Sequence, residues 1–104
     1  MTIIKDSVGK EIQHIYGAVH PDGKIMFGEG FRSRRIWQGT YLIEFERPFT
    51  KEPAPVCTIQ GPEWKTFNMS VAIVEVMPYH FVAVTSSPDR PDDCGFTFIA
   101  FGEI

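Results

Sequence analysis

Apolar and polar residues alternate with a period of two along most of the chain, and turn-forming residues break the alternation at short intervals. An extended segment over residues 13–19 is followed by the turn HPDG at 20–23 and a short strand at 24–27. After a glycine break at 28–30, two alternating runs flank a tight turn and read as a central hairpin. A Pro-rich connection, KEPAP at 51–55, leads to a strand at 56–60 and a loop, GPEW, at 61–64. Strands at 69–77 and 80–86 meet across a Pro78–Tyr79 turn, and a polar loop at 87–93 precedes the last strand at 95–101. Short strands punctuated by turn residues predict an all-β fold: an antiparallel β-sandwich or small barrel of about seven to eight short strands. Helical spacing with start and stop residues is not evident in any stretch. The expectation is a single domain over 1–104, with about residues 1–12 forming a loosely packed N-terminal arm.

The central hairpin has a legible register. In YLIEFE, Tyr41, Ile43 and Phe45 share one face, and Glu44 and Glu46 share the other. A loop at Trp37, Gln38 and Gly39, with Gly39 at the position that favours positive φ, sets the pairing. Phe31 then lies opposite Phe45, Ser33 opposite Ile43 and Arg35 opposite Tyr41, while Arg32 meets Glu44 and Arg34 meets Leu42. An aromatic pair inside and an opposite-charge pair outside each contribute a few tenths to about 1 kcal/mol. A slip of one residue would set Arg32 against Phe45, and a bulge near Gly39 is the expected irregularity.

The spacing G-x-G-F-x-x-x-R-x-x-x-G-x-Y-x-I-x-F-x-x-P-F, here Gly28 to Phe49, resembles a small β-domain found in many uncharacterised bacterial proteins. Similar stretches occur at the ends of phage tail-fibre-like and collagen-like chains. HPDGKI before the hairpin, and PAPVC, FVAVTS and FTFIAFG after it, extend the likeness over roughly residues 15–102. There is a looser likeness to trimeric head domains and small lectin-like sandwiches. The resemblance implies trimerisation, display or sugar binding. No repetitive stalk accompanies it here.

Composition narrows the function classes. A chain of 104 residues is long enough to bury one core without metals or several disulfides. The formal charge of −3 argues against a nucleic-acid partner, which calls for a basic excess. Apolar runs stay short of a membrane span. The N-terminal residues lack an apolar signal core, so the expected location is cytoplasmic, or outside the cell by a route independent of such a signal.

Candidate chemistry is sparse. Arg32, Arg34 and Arg35 form the one basic cluster that a phosphate or carboxylate could engage. Arg32 and Arg34 read as a solvated strand face beside Glu44 and Glu46, where ion pairs contribute little. Arg35 falls on the Tyr41 face, where it would cap the core's edge or stack on a ring. Cys57 and Cys94 each begin a strand, and whether they pair is open, with reduced thiols favoured. The acidic surroundings of Cys94 disfavour a thiolate. His14, His20 and His80 are scattered, and Asp89, Asp92 and Asp93 lack the graded spacing of a calcium loop. Serine occupies no nucleophile elbow, and carboxylates form no acid–base pair. The reading is therefore of a chain that is not an enzyme and has no cofactor or metal, the third alternative being a small barrel-type enzyme whose site the fold gathers from distant strands.

Aromatic residues are abundant, with nine Phe, three Tyr and two Trp. Trp37 on the hairpin tip and Trp64 in the GPEW loop either stand exposed or fold back to close an end of the sandwich. The strands at 69–76 and 96–101 are apolar on both faces, as strands are when covered by another layer or another subunit. The leading expectation is a non-catalytic interaction module that associates into a homo-oligomer and binds a protein partner. The alternative is a lectin-like domain in which Trp37, Trp64, Arg35, Gln38 and Glu63 hold a glycan.

Overall fold

The computed structural model describes residues 2–104. Nine strands form two antiparallel sheets, β1 (Thr2–Lys5), β2 (Glu11–Val19), β3 (Ile25–Gly28), β4 (Phe31–Trp37), β5 (Thr40–Phe45), β6 (Ala54–Ile59), β7 (Ser70–Met77), β8 (His80–Ser86) and β9 (Phe96–Glu103). One sheet runs β1-β2-β9-β6, with β3 added beside β2, and the other runs β4-β5-β8-β7. Among the described residues no ladder joins the two sheets, so the fold is a sandwich and not a closed barrel.

The central hairpin has the register that its face pattern demands. Phe31 pairs with Phe45, Arg32 with Glu44, Ser33 with Ile43, Arg34 with Leu42 and Arg35 with Tyr41. The bulge falls between Arg35 and Trp37, with Ile36 as the extra residue. Ser33, a polar residue on an inward face, is accommodated because its hydroxyl donates to the Gly23 carbonyl at 2.9 Å.

Two elements are absent from the sequence reading. Within the stretch read as an arm at 1–12, Met1 lies outside the described residues. Residues 2–5 form a ninth strand hydrogen-bonded to the start of β2, with Ile4 opposite Ile12. The Asp6 carboxylate closes the connecting turn by accepting from the Val8 and Lys10 amides, both at 2.9 Å. The GPEW loop carries a single helical turn, α1 (Glu63–Thr66), started by Pro62 with φ −66°. Its apolar residues face solvent, so α1 leaves no amphipathic pattern to read.

The core lies between the sheets and is largely aromatic. Phe98 of β9 stands edge-on to Phe31 at 4.8 Å and to Phe81 at 5.2 Å between ring centroids. Tyr41 meets Phe96 at 5.3 Å, and Phe45 meets Phe49 at 5.0 Å. Each such pair contributes about 0.5–1.5 kcal/mol beyond the burial itself. Ile15, Val19, Ile43 and Ala100 fill the spaces between the rings. Polar atoms inside are paired where they donate: the Tyr41 hydroxyl donates to the Pro21 carbonyl at 2.7 Å, and the Gln13 amide donates to the Arg47 carbonyl at 2.9 Å. Burial, followed by the nearby charge of Asp93, pushes the Tyr41 phenol up to about 12, which keeps it a donor.

The outer faces of the two sheets differ. On the four-stranded sheet, cross-strand rows run Arg32–Glu44–His80–Met77 and Arg34–Leu42–Val82–Glu75. On the five-stranded sheet the corresponding rows run Tyr16–Ile99–Val56 and His14–Phe101–Ala54. The first face is dressed in charge, as a solvated antiparallel face normally is; the second carries no Asp, Glu, Lys or Arg in those rows.

Gly17, on the inner face of β2, makes room for the Phe31 ring. A β-carbon there would stand 2.5 Å from Phe31 Cζ and 2.7 Å from the Phe27 carbonyl oxygen. Gly17→Ala should therefore destabilise the chain by about 1–3 kcal/mol, through forced displacement of the ring. A urea titration followed by circular dichroism reads this as a fall in midpoint at unchanged slope.

Candidate functional site

One end of the sandwich gathers the turn at 20–23, the β4–β5 hairpin tip, α1 and the loop that follows β8. Two adjacent acidic residues tie these parts together. Asp93 accepts from Arg35 Nε at 2.8 Å and from the Gly39 amide at 2.7 Å. Asp92 accepts from Lys65 Nζ at 3.1 Å, which anchors α1. Buried Thr85 completes the clasp: its hydroxyl donates to the Asp92 carbonyl at 2.6 Å, and its amide donates to the Gly39 carbonyl at 2.7 Å.

Gly39 is required by this arrangement. Its φ is +64°, and a β-carbon would lie 2.5 Å from the Thr85 carbonyl oxygen and 2.8 Å from the Asp92 nitrogen. The hairpin tip is thus pressed directly against the loop backbone.

The clasp sets the electrostatics. Partial burial raises the Asp93 carboxyl, but the hydrogen bonds from Arg35 and Gly39 and the adjacent positive charges outweigh it and hold the group below the usual carboxylate range. The Arg35 guanidinium is raised in turn, first by its hydrogen bond to Asp93. Arg35, exposed on the hairpin, is held in an ion pair with Asp93, so its charge is already matched. Of the loop acids Asp89, Asp92 and Asp93, Asp92 is engaged by Lys65 and Asp93 by Arg35 and Gly39.

Both tryptophans stand in solvent. Trp37 is 74% exposed and Trp64 is 77% exposed, so neither closes the end of the sandwich. Phe67, one helical turn beyond Trp64, is 80% exposed. Glu63, Trp64 and Phe67 line a shallow groove of about 470 Å³. Of the five residues read from the sequence as binding positions, Glu63 and Trp64 share this groove. Arg35, Trp37 and Gln38 lie on the neighbouring hairpin tip and do not contribute to its lining.

Phe67 is absent from the sequence reading, although its spacing of three from Trp64 would have flagged it had the loop been read as helical. The aspartate clasp is also absent, because its Asp93 contacts join residues more than fifty positions apart.

Cys57 and Cys94 are both unpaired. Burial pushes the Cys57 thiol up to about 12 and raises that of Cys94, so both are held protonated. Among the described residues no group of His, Cys, Asp and Glu is arranged to hold a metal ion, and no helix is long and apolar enough to cross a membrane. Comparisons with protein-family models, curated proteins and solved structures find no match to this chain.

The folded Asp93 carboxyl titrates lower than its unfolded counterpart, so across the interval between the two values the unfolded chain binds the extra proton. The clasp's contribution is present above about pH 4 and is lost as pH falls through the folded value. Acidification should open the hairpin tip, seen as a change in Trp37 fluorescence and faster amide exchange at Gly39. Asp93→Ala should show that opening already at neutral pH, with a stability loss of about 1–2 kcal/mol from the orphaned Gly39 amide.

Proposed function

We propose that this chain is a non-catalytic interaction module that binds a protein partner through its aromatic end and associates with copies of itself. The observation that carries the partner-binding reading is the presentation of Trp64 and Phe67, 77% and 80% exposed on one helical turn whose Lys65 is fastened to Asp92. Large apolar side chains held in solvent by a fixed scaffold are the kind of anchor that dominates interface energetics. The matched charge of Arg35 and the protonated thiols fit binding better than chemistry. Display at the end of a longer assembly, as in the fibre-terminal domains that the hairpin motif resembles, is compatible with this mode of action.

The second reading, a lectin-like domain, draws on the groove itself. An indole face stacks on a sugar ring, and the adjacent Glu63 carboxylate would accept from sugar hydroxyls.

A glycan array probed with the wild-type chain, Trp64→Ala and Phe67→Ala separates the two. Saccharide binding that falls at least about tenfold in Trp64→Ala supports the lectin reading. Wild-type binding to no glycan removes it. The protein-partner reading expects crosslinking capture of one protein, diminished at least about tenfold by either substitution. Capture unaffected by both substitutions removes α1 as the contact.

A further inference from the structure

We infer that the outer face of the five-stranded sheet is the contact between two copies of this chain, paired about a two-fold axis. This rests on the self-association proposed above and assigns it a surface distinct from the aromatic end.

The face is apolar and open. Tyr16 and Ile99 are each 54% exposed, Val56 60%, Phe27 48%, and Ile4 and Phe101 each 45%. Their pairing makes them neighbours: Tyr16, Ile99 and Val56 stand in one cross-strand row, Phe101 occupies the next row on β9, and Phe27 borders the face from β3 opposite Ala18. Residues alternate along β9 so that Phe96, Phe98 and Ala100 fill the core while Ile99 and Phe101 turn outward. Both sides of the strand are thus built to be covered, and the chain covers only one.

What covers the other side follows from shape and charge. A broad sheet face packs best against another sheet at about 10 Å. The outer face of the four-stranded sheet is unsuitable, since burial would strip water from Arg32, Arg34, Glu44 and Glu75. The face that matches in character is the same face of a second copy, and identical patches meeting each other define a two-fold axis. Each chain carries a net charge of −3, but the contacting rows hold no Asp, Glu, Lys or Arg, and His14 is their one imidazole. At the border, Glu103 is paired with Lys10 at 3.2 Å and Lys51 at 3.8 Å, which limits repulsion there.

Area sets the strength. The exposed halves of three aromatic and three aliphatic side chains amount to roughly 500 Å² per copy, with a whole aromatic side chain taken as ~150–250 Å². Two copies would bury about 1,000 Å², the lower bound of a specific interface. The expected dimer dissociates in the micromolar range and not the nanomolar.

Sedimentation velocity on the full chain from about 1 to 500 µM tests this, with concentrations chosen to span such a dissociation constant. The substitutions are Ile99→Lys and Val56→Lys on the face, with Val74→Lys as control. Val74 is 60% exposed like Val56, but lies in the bulge of the other sheet. Wild type and Val74→Lys should dimerise alike. Ile99→Lys and Val56→Lys should stay monomeric with unchanged circular dichroism, their dissociation constants raised at least about 100-fold because the axis places each substitution in the contact twice. A wild-type chain monomeric at every concentration overturns the inference and the self-association on which it rests. An oligomer that survives both face substitutions, or one of three copies, overturns the assigned face and two-fold pairing while leaving self-association intact. Should the lysine variants fail to fold, dilution of the wild type followed by amide chemical shifts decides the matter. Shifts centred on the five-stranded sheet, in β1, β2, β3, β6 and β9, support the contact, and shifts elsewhere, as at α1 and the hairpin tip, overturn it.

Discussion

Phe98 is the residue on which the two layers depend. Its ring reaches from β9 into the opposing sheet and is held edge-on by Phe31 and Phe81, which belong to different strands of that sheet. Burial of such a ring contributes several kcal/mol and fixes the lateral offset between layers. The offset has a local cost, met by Gly17, whose missing side chain lets Phe31 approach the backbone of β2. Rings from both sheets interdigitate across one plane, and the remaining core residues occupy the gaps they leave.

That plane consumes one face of each sheet and leaves two outer faces with opposite solutions to the same problem. One is solvated by alternating guanidinium and carboxylate groups. The other repeats, on the outside, the aromatic and aliphatic character of the interior. Separately, the end bearing Trp37, Trp64 and Phe67 is stiffened by the Asp92–Asp93 clasp, so its aromatic side chains project from a held backbone. For the binding proposed at this end, such a held backbone would lower the ordering cost that a loose loop incurs.

Local pattern was the legible part. The hairpin register follows from Tyr41, Ile43 and Phe45 sharing a face with Phe31, because a period of two leaves only one pairing that keeps Arg32 out of the core. The two-sided apolar character of β9 was likewise readable from FTFIAF, and the structure places Ile99 and Phe101 outward. Long-range polar chemistry was not legible. Asp93 reads as one of several loop acids, and only the fold brings it to Gly39 and Arg35. α1 escaped notice because one turn is too short for periodicity and its apolar side chains avoid the core. The N-terminal strand was hidden by the polar turn around Asp6, which separates it from β2 and reads as the end of order instead of a bend.

The strand margins carry a consequence for how this molecule can meet others. β4, at one border of its sheet, bears Arg32, Arg34 and Arg35 and is distorted at Ile36, while β7 at the opposite border is distorted at Val74. In the other sheet, β6 contains Pro55, which offers no amide hydrogen, and the far border is divided between two four-residue strands, β1 and β3. Each border therefore resists extension of the hydrogen-bonded ladder by an incoming chain. A protein this rich in β-branched and aromatic residues would otherwise be prone to fibrillar growth. Its exposed apolar surfaces lie broadside and at one tip, and its borders refuse the kind of contact that repeats without end.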